Sequence, residues 1–273
     1  MAIKEIKDMG ASVLTRLKKQ TIETGINYQT CLQLFAQEEF LRKLEMSRYA
    51  ENLVLKGGMF LYVISNFEGR PTMDIDFMLR RMSNDVTEIE AIIEEICRVD
   101  THNDFIDMEV LGTKVIAPSA VKRTVATRLA GFKEPSVYTY SLESTIAEKF
   151  DAILKRMTAS SRMKDFYDIY YWSQIFDFDG RTLQEAIGAT LQHRGTPYER
   201  DSLEKIKTFD QNKFLQNRWN NYNPGPRLEK PGFSAVLAQI NRFIEPLYEA
   251  ILKEDEFFGT WSAEENVWKM KIK

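Results

Sequence analysis

The sequence predicts a mixed α/β chain of the α+β type, with N-terminal helices leading into a small sheet and a mainly helical C-terminal half. Three observations carry this. Short apolar runs broken by glycine or proline turns alternate with helix-periodic stretches as far as about residue 140. Beyond Ser141 the apolar spacing is almost wholly three- and four-residue. The 273 residues are 44% hydrophobic and 28% charged, which is ordinary for a globular chain with ample core. We divide the chain into residues 1–140, an α/β core with N-terminal helices, and residues 141–273, a helical domain expected to close a cleft over it.

The elements follow in order. Residues 10–22 and 27–49 carry helical periodicity, the second with Leu32, Leu34, Phe35, Phe40, Leu41 and Leu44 as its stripe. Leu53-Val54-Leu55 starts the first strand, and the turn at Gly57-Gly58 opens a helix over 59–66. Residues 74–79 read as the second strand, and 86–99 as a helix with Ile89, Ile92, Ile93 and Ile96 inward. A hairpin is expected from 104–111 and 113–117, turned at Gly112, with a further β segment at 137–140. The remaining helices are 142–157, 164–176, 182–192, 202–209 and 233–253. Gly180, Gly195-Thr196-Pro197 and Asn223-Pro224-Gly225-Pro226 separate them.

Composition narrows the function. The net charge of −3 gives no global basic field for nucleic acid, so any such surface must be a local patch. Cys31 and Cys97 lack metal-like spacing and read as buried free thiols in a reducing cytoplasm. The N-terminus has no signal-peptide core, and the apolar run 59–64 is too short to span a bilayer, so a cytosolic location is expected. His102 and His193 share no motif, which argues against histidine catalysis and zinc.

The chemistry concentrates in Arg70-Pro71-Thr72-Met73-Asp74-Ile75-Asp76. On an extended strand Asp74 and Asp76 emerge on one face, with Ile75, Phe77 and Leu79 on the opposite, core-facing one. Two carboxylates held that close call for a hard divalent cation, which takes carboxylate oxygens and substrate phosphates. Taken alone, an Asp-x-Asp is commonly a solvated edge strand, and a Gly-Gly mostly a turn. Lys56-Gly57-Gly58 upstream supplies the rest of a nucleotidyltransferase palm: strand, glycine turn, helix, then a strand with Asp-x-Asp. Asp107 and Glu109 share one face of their predicted strand and are either a third ligand or base, or simply outward-facing acids.

Downstream, Lys149 lies about 20° from Leu142 and about 40° from Ile153 on the helical wheel. It either snorkels past the apolar stripe or reaches a buried anion. Asp165 shares the apolar side of its helix with Ile169, Trp172 and Phe176, and Asp168 follows one turn on. Such acids read as a buried ion-pair network with Arg162, Lys164 and Lys149, or as a Lys–Asp pair orienting a nucleotide. The interleaved aromatics and cations from Lys213-Phe214 through Arg218-Trp219 to Arg227 and Lys230 suit base stacking or an ordinary packed loop. Lys122, Arg123 and Arg128 are a second candidate patch.

Leu53-Val54-Leu55-Lys56-Gly57-Gly58, Arg70 to Phe77, Ile146-Ala147-Glu148-Lys149 and Arg162-Met163-Lys164-Asp165-Phe166-Tyr167-Asp168, in that order, resemble the AbiEii/MenT group of nucleotidyltransferase-like toxins. That group belongs to bacterial toxin–antitoxin and abortive-infection systems. The resemblance implies a polymerase-β-like nucleotidyltransferase core using NTP with Mg²⁺ or Mn²⁺, and addition of nucleotides to RNA, at tRNA 3′ ends, to block translation. It implies Asp74 and Asp76 as catalytic metal ligands, with Lys149 and Asp165 also catalytic. Lys56, Gly57, Gly58, Arg70, Thr72 and Lys164 would bind the nucleotide, and a cognate antitoxin would be encoded nearby. One departure is Gly57-Gly58 where such enzymes commonly carry Gly-Ser, which removes one phosphate hydrogen bond. Nucleotide or phosphate transfer onto a protein such as the antitoxin, and a non-catalytic NTP-binding module, are the alternatives.

Overall fold

In the computed structural model, which describes residues 9–103 and 120–270, two helices come first. They are α1 (Met9–Thr24) and α2 (Tyr28–Met46). Asn27 caps α2, its side chain accepting the Thr30 N–H at 2.9 Å. Unusually, α2 buries Glu38, Glu39 and Arg42 beside Leu34, Leu41 and Leu44. Buried charges need partners. Glu39 accepts Arg42 Nε at 2.7 Å and Asn103 Nδ2 at 2.9 Å, while Glu38 accepts Arg128 Nε at 2.6 Å. The carboxyl of Glu38 is still pushed above the usual carboxylate range, because burial outweighs the Arg128 guanidinium.

The first sheet is built from β1 (Leu53–Lys56), β2 (Asp76–Leu79), β3 (Ala120–Thr124) and β4 (Ser136–Tyr140), in the order β2-β1-β4-β3. β1 runs antiparallel to β2 and parallel to β4, and β3 runs antiparallel to β4. Register sets Lys56 opposite Asp76 and Val54 opposite Met78. Helices α3 (Gly57–Ile64) and α4 (Val86–Cys97) lie in the connections, α4 burying Ile89, Ile92 and Ile96.

Three expectations change here. Asp74 lies before β2 rather than in it, since pairing with β1 begins at Asp76. Met78, on the same face as exposed Asp76, is buried, while Ile75, Phe77 and Leu79 are only half-buried, so the face opposite Asp76 is not the buried one. β3 was not expected: the Val121, Lys122, Arg123 run lacks a clean apolar alternation and forms by pairing with β4. The expected hairpin over 104–111 and 113–117, with Asp107 and Glu109, lies outside the described residues.

The rest of the chain forms α5 (Leu142–Arg156), α6 (Met163–Ser173), α7 (Gly180–His193), α8 (Arg200–Lys207), α9 (Lys213–Asn221) and α10 (Phe233–Leu252). A second, antiparallel sheet of β5 (Phe178–Asp179), β6 (Gly259–Ser262) and β7 (Val267–Met270) interrupts the helical pattern. Its aromatics meet Phe243 of α10, whose ring lies 4.9 Å from Trp261 and stacks 5.8 Å from Trp268. Packing divides the chain into two compact units. One runs to Ser141 and takes back Gly225–Leu228; the other comprises Leu142–Pro224 and the chain from Glu229 onward. No helix among the described residues is long and apolar enough to cross a membrane.

Candidate active site

The first unit brings five of the expected residues, Lys56, Gly57, Gly58, Thr72 and Asp76, to the turn between β1 and α3. Gly57 has φ +70°, and a Cβ placed on it would collide with Asp76 Oδ2. A Cβ on Gly58 would sit 2.7 Å from Thr72 Oγ1 and 3.0 Å from Thr72 Cβ. At both glycines a Cβ would make Asp76 or Thr72 shift, because side chains of Thr72 and Asp76 lie directly on the turn. Lys56, the residue preceding α3, carries no side-chain acceptor, so it cannot cap the helix N–H groups. Its ammonium lies 5.1 Å from the centre of the Tyr140 ring.

The segment carrying the carboxylates is tied down from within and from α2. The Asp74 N–H donates to Thr72 Oγ1 at 3.3 Å, and Thr72 itself is buried. The Met73 carbonyl accepts side-chain amides from Gln33 and Gln37. Asp74 and Asp76 are both exposed, and Arg70 is half-buried in the same segment. No group of three or more His, Cys, Asp or Glu side chains fit to hold a metal occurs among the described residues. One accessible carboxylate, Asp76, lies beside the start of α3, with Asp74 two residues before it in the same segment; Mg²⁺ keeps several waters and takes one or two carboxylates plus phosphate oxygens.

The second unit holds the Lys149 group. The Lys149 side chain is 12% exposed; Nζ donates to Asp168 Oδ2 at 2.7 Å and lies 3.5 Å from Asp165 Oδ1. It reaches buried acids and does not snorkel. Arg162 grips Asp165 from the other side, Nε at 2.5 Å and Nη2 at 3.2 Å, which raises the guanidinium pKa. Two cations thus face two carboxylates across α5 and α6, the ion-pair network the sequence suggested. Lys164 stands exposed on the first turn of α6. A second network went unforeseen: buried Asp151 accepts Arg194 Nη1 at 3.1 Å and the Thr196 hydroxyl, while Glu148 pairs with Arg194 Nη2 at 2.9 Å. Its only sequence signal was Asp151 in a helix otherwise read for Lys149.

The first part of the stretch from Lys213, Lys213–Asn221, is a helix (α9) and not a loop, while the chain from there to Lys230 is irregular. Trp219 is buried and donates Nε1–H to the Pro231 carbonyl at 3.0 Å. Lys230 Nζ donates to the carbonyls of Trp219, Asn220 and Tyr222 at 3.1, 2.9 and 2.8 Å, a cap on the C-terminus of α9. Phe214 remains half exposed, with the Arg218 guanidinium 3.9 Å over its ring. Nor do Lys122, Arg123 and Arg128 form one exposed patch. Arg128 is buried on Glu38, and Arg123 donates to Thr139 and the Tyr140 carbonyl.

A model of the nucleotidyl transferase AbiEii toxin of type IV toxin–antitoxin systems matches residues 39–239. The chain belongs to the AbiEii family. As an AbiEii protein it is a nucleotidyltransferase toxin that uses NTP and is paired with an antitoxin. Among solved structures, it is similar to MenT4, a nucleotidyltransferase toxin from Mycobacterium tuberculosis. That match has 17% identity and a TM-score of 0.57, and covers 88% of this chain and 89% of the other. The likeness establishes the shared AbiEii/MenT fold. A second similar structure, JHP933 from Helicobacter pylori, has 12% identity and a TM-score of 0.43 over 84% of this chain and 96% of that one. No curated protein matches the sequence.

Proposed function

We propose that this AbiEii toxin transfers a nucleotide from NTP to an RNA 3′ end in the cytoplasm, with the tRNA acceptor end as the substrate whose modification halts translation. The observation that carries the reading is the contact of Asp76 with Gly57. It sets a carboxylate beside the start of α3, where backbone N–H groups favour phosphate and the preceding Lys56 side chain supplies no cap. In the reaction the RNA 3′-hydroxyl attacks the α-phosphate, the α–β phosphoanhydride bond breaks, and pyrophosphate leaves with its charge. A divalent cation, Mg²⁺ or Mn²⁺, held by Asp74 and Asp76, would supply charge neutralisation for the triphosphate. Lys56, Gly57, Gly58, Arg70 and Thr72 are assigned to the nucleotide, and Thr72 Oγ1 stands where a serine side chain at position 58 would have offered its hydroxyl. Lys149, Asp165 and Lys164 are assigned on the family pattern, with Asp168 holding the Lys149 ammonium.

Incubation with each radiolabelled NTP, Mg²⁺ and total RNA tests this. The wild-type chain is expected to label RNA 3′ ends, and Asp74→Ala to abolish labelling with its circular-dichroism spectrum unchanged. Normal labelling by Asp74→Ala refutes the metal assignment. Label on co-incubated antitoxin instead of RNA, read by intact mass, moves the acceptor to protein.

A further inference from the structure

Asp76 is held by the strand ladder with β1, but Asp74 is not. Whatever fixes the Asp74 carboxylate must act on the irregular main chain before β2. One face of α2 meets that requirement. Thr30, Gln33 and Gln37, spaced by three and four residues, all reach Met73. The Thr30 hydroxyl donates to Met73 Sδ at 3.4 Å, and the side-chain amides of Gln33 and Gln37 donate to the Met73 carbonyl, Gln37 at 3.0 Å.

We infer that Gln33 and Gln37 are positioning residues that fix the Asp74 carboxylate by clamping the peptide plane joining Met73 to Asp74. The inference rests on the metal-dependent reading above. A carbonyl that accepts two N–H donors has both lone pairs engaged, so the rigid peptide unit it belongs to loses its freedom to rotate. The Asp74 N–H is the other end of that same peptide unit, and it is spent on Thr72 Oγ1. Gln37 shows that the donor, not packing, is what the position requires. Its side chain is 6% exposed, and its Oε1 is buried with no hydrogen-bond partner among the described residues. Flipping the amide would set oxygen against the Met73 carbonyl oxygen, so the orientation is fixed by Met73. An aliphatic side chain would fill the space without an orphaned oxygen. Both glutamines precede the region matched by the family model, which starts at residue 39.

The test is Mn²⁺ binding, read as loss of the free-ion electron paramagnetic resonance signal, alongside thermal melting. Wild type, Asp74→Ala, Gln33→Ala/Gln37→Ala and Gln37→Met are compared, the last keeping length and volume while losing the donor. The expected result is Mn²⁺ binding by wild type, its loss in Asp74→Ala, and weakening of about tenfold or more in both glutamine variants with melting temperature nearly unchanged. Glutamine variants that bind Mn²⁺ like wild type, while Asp74→Ala does not, overturn the clamp and leave the function standing. Wild type binding no more tightly than Asp74→Ala overturns the metal assignment itself. If the double alanine variant does not fold, Gln37→Met decides alone: wild-type affinity in it overturns the clamp.

Discussion

Gly57 concentrates two demands in one residue. Its φ of +70° is one that L side chains rarely adopt, so any of them would be strained there, and the Asp76 carboxylate occupies the place where a Cβ would project. Gly57→Ala is therefore expected to cost about 1–3 kcal/mol in urea unfolding. RNA labelling should fall much further than stability, because the displaced atom is the Asp76 carboxylate. Labelling at the wild-type rate would show that the carboxylate does not need its place on the turn. At this scale the sequence was informative about identity and blind to neighbours. Asp74, Asp76, Gly57 and Thr72 were all legible as candidates, since residue types able to bind phosphate or metal stood in an ordered series. Thr72 lying on Gly58, and Gln37 lying on Met73, were not, because both contacts join residues whose separation in the chain carries no periodic signal.

At the scale of elements, α5 and α6 share a neutral set of four charges: Lys149, Arg162, Asp165 and Asp168. Removing one buried partner strands its counter-charge. Lys149→Met is expected to destabilise by about 3–5 kcal/mol, and adding Asp168→Leu to recover part of that. If Lys149 also serves catalysis, the double variant recovers part of its denaturation midpoint and still fails to label RNA. Recovery of both stability and labelling would leave the lysine a purely structural role. Helical periodicity located α5 and α6 well, because their apolar stripes are strong. It misread the segment from Lys213 for a different reason: its cations and amides make the segment strongly polar on average, and α9 exists by burying Leu215 and Trp219 and by the Lys230 cap. Strands β5, β6 and β7 escaped notice because each is four residues or fewer and is stabilised by distant aromatics.

Over the whole molecule, the chain divides into two units, and all four tryptophans (Trp172, Trp219, Trp261 and Trp268) fall in the second. Tryptophan fluorescence therefore follows the second unit, whereas far-ultraviolet circular dichroism follows both. Gly57→Ala, a change in the first unit, is expected to lower the dichroism midpoint in urea while leaving the fluorescence midpoint in place. Fluorescence and dichroism midpoints that fall together would show that the units unfold as one cooperative body. The division also has a feature that no composition shift announces. Gly225–Leu228 packs with the first unit, Pro226 lying against Gly25 and Gly225 near Pro71, although the chain on both sides belongs to the second.

By itself the sequence determined the mixed α/β class, the AbiEii membership and the small set of chemically able residues. Those depend on residue type, local order and short-range periodicity, which a chain displays without folding. Only the tertiary structure decided that Asp74 stands outside the strand and that Asp76 lies on the glycine turn. It alone showed that Lys149 is held by Asp168 and that glutamines of α2 grip the peptide carrying Asp74. Each of these is a contact between segments brought together by burial and strand pairing, and such contacts leave no spacing in the sequence from which to read them.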